Sequence, residues 1–215
     1  MTMVENRPMR RIVALITGLA LTLSLAACQK PAATAVTADD MSLGSPAAKV
    51  TMIEYASVSC PHCADWNTNV FPAFKAKYVD TGKVRYVARE ALTADPAIAA
   101  AGFLTARCAG KDKYFQVVDA IYRAQPQMAT TEPRTVLLNI AKSAGLTEAQ
   151  FNACTTDEKA LTALNDRWNH YVKDDKINGT PTFVINGKVY DKGEMTLADL
   201  DAAIAAAQAG GKAPS

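Results

Sequence analysis

This 215-residue chain is short of long hydrophobic runs, of net charge and of histidine. The apolar stretch from Ile12 to Leu25 is too short to cross a bilayer comfortably, which makes a transmembrane anchor the weaker reading. The whole chain carries a formal charge of +2, and setting aside Glu5, Arg7, Arg10 and Arg11 leaves the remainder formally neutral. A nucleic-acid surface, which needs a clustered basic excess, therefore has no support. The two histidines, His62 and His170, are far apart, and no second C-x-x-C accompanies the one at Cys60. A tetrahedral zinc site thus lacks a complete ligand set, and no metal and no cofactor is expected. No internal repeat is present. Cysteines number five, an odd count.

What is present begins with a targeting pattern. Arg7, Arg10 and Arg11 form a basic region, Ile12 to Leu25 an apolar one, and small residues follow, as in a secretory signal over residues 1–27. The residues around Arg10-Arg11 fit twin-arginine export poorly. Leu25-Ala26-Ala27-Cys28 resembles the lipobox of bacterial lipoproteins, which implies lipidation of Cys28 and attachment to a membrane. Gln29 leans the destination towards the outer membrane of a Gram-negative cell. The alternative is ordinary cleavage nearby, with Cys28 left as a stray thiol. Residues 28–40, rich in Ala, Thr and Pro, read as a flexible tether.

With Cys28 lipidated, four cysteines remain, and they pair as Cys60 with Cys63 and Cys108 with Cys154. Cys108 and Cys154 fall on the apolar faces of helical segments. Their bridge closes a loop of about 45 residues, which contributes on the order of 3–4 kcal/mol in the chain-entropy treatment. Two buried free thiols are the alternative, less suited to an oxidising compartment.

Periodicity then divides the rest of the chain. Val50–Ala56 reads as a buried strand carrying one acid, Glu54. Pro61 to Val79 reads as a helix with Trp66, Val70, Phe74 and Tyr78 on one face. Lys83–Glu90 reads as a second strand, with Val84, Tyr86 and Ala88 alternating against charged neighbours. From Asp95 to about Lys176 the pattern is helical throughout, opening on an Asp95-Pro96 cap. Ala97, Ala101, Leu104 and Cys108 recur on the face of its first helix. Thr155 and Glu158 have capping-box spacing before the stripe Leu161, Leu164, Trp168 and Tyr171. Thr182–Ile185, Asn186-Gly187 and Lys188–Tyr190 read as a hairpin, and Thr196 caps a last helix. The two ends form one α/β unit over residues 41–215, and the middle, at about 95–176, is a helical insertion.

Cys60-Pro61-His62-Cys63 sits where the first strand gives way to the first helix. The helix start supplies the tight turn that a two-residue separation needs, and Pro61 suits its first position. Unpaired N–H groups and the positive end of the helix dipole face the Cys60 sulfur, and His62 adds a favourable group when protonated. A thiolate at Cys60 is favoured, so its disulfide is reactive rather than structural. If the thiol lies about 3 units below neutral, the reduced form gains roughly 4 kcal/mol at pH 7, or on the order of 90 mV. His62 is too close in sequence to join both cysteines easily around a metal. His170 reads as an ordinary surface or partly packed residue.

The motif Cys60-Pro61-His62-Cys63 after a strand, with Gly179-Thr180-Pro181-Thr182 before a hairpin, resembles the DsbA-like branch of the thioredoxin superfamily. The resemblance extends over Leu43-Gly44, Pro46, the helical insertion and Phe183-Val184-Ile185-Asn186-Gly187. It implies a thioredoxin fold with a helical insertion, Cys60 as exposed nucleophile and Cys63 as buried resolving thiol. It further implies a cis Pro181 facing the disulfide, with Thr180 presenting backbone to a bound substrate strand. Glu54, six residues before Cys60, matches the buried acid that moves a proton at the second cysteine. A strand residue at a sheet edge is the plainer reading of Glu54, and a trans turn proline that of Pro181.

The resemblance implies a thiol–disulfide oxidoreductase of the periplasm. Its partners would be exported cysteine-containing proteins and a membrane redox protein that resets the disulfide. Oxidase is the leading direction. A monomeric reductase or an isomerase using the same cysteines is the alternative; isomerases of the superfamily usually carry an N-terminal dimerisation segment, and here only the tether precedes the domain, so a monomer is expected. A non-catalytic, lipid-anchored adaptor is the third reading.

Overall fold

The central strand is built from VTMIEYA, a run whose β-branched and aromatic residues suit a sheet buried on both faces. The computed structural model describes residues 1–3 and 35–210. The expected signal at 1–27, apart from its first three residues, and Cys28 with the first part of the tether lie outside the described residues. Five strands form one sheet: β1 (Met41–Leu43), β2 (Val50–Ala56), β3 (Val84–Glu90), β4 (Thr182–Ile185) and β5 (Lys188–Tyr190), in the order β1-β3-β2-β4-β5. β2 and β3 run parallel, and the other pairs are antiparallel. β1 precedes the strand that the sequence pattern identifies as the first. The chain turns from it at Gly44, where φ is +85° and a Cβ would lie 2.6 Å from the Val84 carbonyl oxygen. Asn186-Gly187, both at positive φ, closes the β4–β5 hairpin.

The helices are α1 (Pro61–Asn69), α2 (Phe71–Phe74), α3 (Pro96–Cys108), α4 (Lys111–Met128), α5 (Pro133–Ser143), α6 (Glu148–Thr155), α7 (Glu158–Lys173) and α8 (Leu197–Gly210). α3 to α7 fall between β3 and β4, so the architecture is a thioredoxin fold with a helical insertion. The stretch expected as one helix from Pro61 to Val79 is instead α1, α2 and a π-helical turn over Lys75–Val79. Pro72 lacks the N–H that a continuous helix would use, and the break falls just before it. Trp66, Phe74 and Tyr78 still point inward; the Trp66 ring packs 4.8 Å from that of Phe183, and its Nε1 donates to the Met195 carbonyl at 2.9 Å.

Several local expectations are corrected. The cap of α7 is Asp157, whose carboxylate accepts from Lys159 and Ala160 N–H; Thr155 is the last residue of α6. A full capping box does exist, at Thr147 and Gln150 of α6. The inward face of α3 is Ala99, Ala100, Phe103, Leu104 and Ala106, whereas Ala97 and Cys108 are exposed. Arg89 and Glu90 of β3 are buried rather than solvated: Arg89 pairs with Asp40 and Asp175, and Glu90 with Arg107 and Arg167. That pairing also corrects the tether. Asp40 binds Arg89, the Ala35 carbonyl accepts from Arg89 at 2.9 Å, and Val36 packs beside Tyr55 and Tyr171. Ala35–Asp40 is therefore part of the folded domain.

β2 lies in the middle of the sheet, and its side chains divide between the two faces. Met52 packs with Trp66, Phe74, Phe183, Leu200 and Ile204, whereas Ile53 and Tyr55 pack with Val87, Tyr171 and Ile177. Glu54 falls on the face of Met52, between Ala88 and Phe183 of the flanking strands. The sheet-edge reading of Glu54 is thereby excluded.

Candidate active site

Cys60 is the N-cap residue of α1, in extended conformation, with Pro61 at the first helical position. The cap makes no side-chain hydrogen bond to the helix, which leaves the first-turn N–H groups facing the sulfur. Both Cys60 and Cys63 are free thiols; Cys60, expected as the exposed sulfur, is instead buried at 6% exposure, and Cys63 is fully buried. The Cys60 thiol is pulled down to about 5, first by the hydrogen bond from Cys63, then by Thr180 and by the N–H groups of Cys63 and His62. Burial works against that shift and is outweighed. Cys63 moves the opposite way, pushed up by burial, by its bond to Cys60 and by the nearby Glu54. One sulfur is held as an anion and the other as a protonated thiol.

His62 pairs with a carboxylate outside the motif, and its charge still interacts favourably with the Cys60 thiolate. Its side chain is exposed, and Nδ1 pairs with Glu194 Oε1 at 2.8 Å, which raises the imidazole above its ordinary range. The hydrogen bond of the ring thus goes to Glu194 and not to the Cys60 sulfur; what His62 chiefly lends the sulfur is its backbone N–H. Glu194 had no sequence signal, because it lies 132 residues away.

Glu54 is 3% exposed beneath the cysteines. Burial raises its carboxyl to about 8, against the opposing effect of a 2.5 Å hydrogen bond donated by the Tyr86 hydroxyl. Near neutral pH the group holds its proton and can give it up, which is the property a buried acid–base needs. Tyr86, expected only as an alternating strand residue, is the hydroxyl that reaches this carboxyl.

The loop opposite carries a cis Thr180–Pro181 bond, and the Thr180 carbonyl oxygen lies 3.5 Å from Cys60 Sγ. Ser57 and Ser59 hydroxyls donate to the Thr93 carbonyl at 3.0 and 2.8 Å. From α4, Gln125 Nε2 donates to the carbonyls of Val58 and Cys60 at 2.8 and 3.1 Å, tying the insertion to the active-site turn. α3 packs just as closely: a Cβ on Gly102 would lie 2.7 Å from a Val58 methyl.

The thioredoxin family model, described as "Thioredoxin", matches residues 36–206. The solved structure of Wolbachia pipientis alpha-DsbA1 superposes with a TM-score of 0.73 at 28% identity, covering 81% of this chain and 94% of that one. The chain is a DsbA-like member of the thioredoxin superfamily. A curated relative from Rickettsia bellii, named a protein-disulfide oxidoreductase, is 34% identical over 151 residues, 69% of this chain and 58% of its own length. The chain thus spans little more than half of that relative. A disulfide bond formation protein D of Bacillus cereus is 27% identical over 69% of this chain and 70% of its own.

In this DsbA-like chain the two cysteines of the helical insertion are bonded to each other. Cys108, at the end of α3, and Cys154, near the end of α6, form a disulfide with Cα atoms 6.3 Å apart. The bridge lies at the surface, with Cys108 exposed and Cys154 half-buried, rather than on inward helix faces. His170 pairs with Asp174 on the exposed side of α7. Among the described residues no cluster of three or more His, Cys, Asp or Glu is placed to hold a metal, and no helix is long and apolar enough to cross a membrane.

Proposed function

We propose that this chain is a thiol oxidase of the bacterial cell envelope, passing the Cys60–Cys63 disulfide to cysteines of exported proteins. The observation that carries this reading is the split between the two sulfurs, with Cys60 drawn down to about 5 and Cys63 pushed up. A substrate thiolate attacks Cys60 Sγ, the Cys60–Cys63 bond breaks, and Cys63 leaves with a proton from Glu54. A second substrate thiolate then attacks the substrate sulfur of the mixed disulfide, and Cys60 leaves as the stabilised thiolate. Two electrons pass from substrate to protein, and a membrane redox partner would remove them. Thr180 and cis Pro181 would hold the substrate strand against Cys60, and Cys108–Cys154 would stay a structural bridge.

Lowering the Cys60 thiol from 9.0 to about 5 favours the thiolate-bearing reduced form by roughly 3 kcal/mol at pH 7. That is on the order of 60 mV towards oxidising, smaller than the ~90 mV expected from sequence. A Leu25-Ala26-Ala27-Cys28 lipobox supports anchoring through lipidated Cys28, with the domain in the periplasm. The test is an equilibrium titration of Cys60–Cys63 against glutathione, read by mass after alkylation. The expected potential lies well above the roughly −270 mV of thioredoxin. A value at or below that figure would reassign the protein as a reductase, and no exchange at all would make it an adaptor.

A further inference from the structure

Between β3 and α3 the chain passes through Ala91–Asp95, and Ala94 there adopts φ +62°, the left-handed region that residues with a Cβ avoid. A conformation of this kind persists only where its surroundings hold it. Here Ser57 and Ser59 hold it, both through the Thr93 carbonyl, and Ser59 also lies 3.0 Å from the Asp95 carbonyl. The consequence is the direction of the Thr93 side chain: its Oγ1 sits 2.6 Å from Thr180 Oγ1. Thr180 is the residue whose carbonyl lies against Cys60 Sγ.

A threonine hydroxyl has one proton to donate and can accept in addition. Only one proton can lie between the two oxygens. If Thr180 gives its proton to Thr93, the Cys60 thiolate gains nothing from that hydroxyl. If Thr93 donates, the Thr180 proton is left free for the sulfur. We propose that Thr93 is a positioning residue whose hydroxyl donates to Thr180 Oγ1 and so turns the Thr180 hydroxyl towards the Cys60 sulfur. The Thr180 side chain is among the groups that pull the Cys60 thiol down, in line with that orientation. The short Oγ1–Oγ1 contact lets each bond polarise the next. This proposal rests on Cys60 being the sulfur that exchanges.

Thr93→Val keeps the shape and removes the hydroxyl, while the Ser57 and Ser59 bonds to the Thr93 carbonyl remain available. The readouts are the titration of Cys60, followed by thiolate absorbance, and the equilibrium constant with glutathione. The expected result is a Cys60 that titrates higher and an oxidising equilibrium constant lowered roughly three- to tenfold. Thr93→Ser, which keeps a hydroxyl, is expected to titrate with the unaltered protein. In a Thr180→Val background, Thr93→Val is expected to change nothing further. An unshifted Thr93→Val overturns the proposal, and so does a shift that persists undiminished when Thr180 is valine. If Thr93→Val fails to fold, Thr93→Ser decides: a Cys60 that titrates higher there overturns it as well. Failure of the underlying reading would show separately, as an ordinary thiol at Cys60 in the unaltered protein.

Discussion

Glu54 is the one carboxyl on the central strand, and its burial has a measurable consequence for stability. Its carboxyl rises from 4.5 to about 8 on folding, so between those values the folded chain keeps a proton that the unfolded chain has lost. Stability therefore falls as pH rises through this window and levels off above about 8. At pH 7 the loss is on the order of 3 kcal/mol. Glu54→Gln is expected to stabilise the protein by up to about 3 kcal/mol at pH 7 and by almost nothing at pH 4, while slowing disulfide exchange. Urea unfolding at the two pH values checks this; an equal effect at both would remove the argument. Cys60 and Cys63 stood out because short spacing and residue type carry their chemistry, whereas Glu54, Thr180 and Pro181 were marked only by the resemblance to the DsbA-like branch. Tyr86, Thr93 and Gln125 were not legible, because each acts through a partner 32, 87 or 65–67 residues away, with no local pattern to mark it.

At the scale of elements, strands and helices were legible wherever a period or a cap was strong, as with Asp95-Pro96 and Asn186-Gly187. The failures have local causes. Thr155 offered the right spacing for a cap, but Asp157 is a stronger acceptor two residues on and takes the Lys159 and Ala160 N–H groups. Pro72 divided a helix whose apolar face alone looked continuous. The face of α3 was displaced because a run of alanines gives periodicity little contrast. Cys108 and Cys154 now tie the end of α3 to the end of α6 across 46 residues, at the surface. A bridge of that span contributes about 4 kcal/mol by restricting the unfolded chain. Replacing both cysteines by serine is expected to lower the free energy of unfolding by roughly that amount and to leave the Cys60 titration unchanged. Denaturant unfolding and thiolate absorbance on the same variant test both halves. A shifted Cys60 would mean that the bridge is coupled to the active-site turn.

For the domain as a whole, the order strand–helix–strand, helical insertion, hairpin and helix was readable, whereas the seam at its N-terminal edge was not. Ala35–Asp40 has a linker composition, and Arg89, Arg107 and Lys111, all distant in sequence, fix it to the domain. The redox state adds a term that acts on the entire folded chain, because the anion at Cys60 exists only when the active-site disulfide is open. Its thiol falls from 9.0 to about 5 on folding, so this term stabilises the reduced protein fully above about pH 9 and disappears as pH drops through 5. The Glu54 term, which lowers stability with rising pH, is present in both redox forms and largely cancels when they are compared. The reduced protein is therefore expected to gain on the oxidised one by roughly 2 kcal/mol between pH 5 and pH 7. Paired thermal melts of the two forms across that range measure the gain as a growing difference in Tm. A difference independent of pH would show that the sulfur is not held as an anion, and the oxidising direction would lose its physical basis.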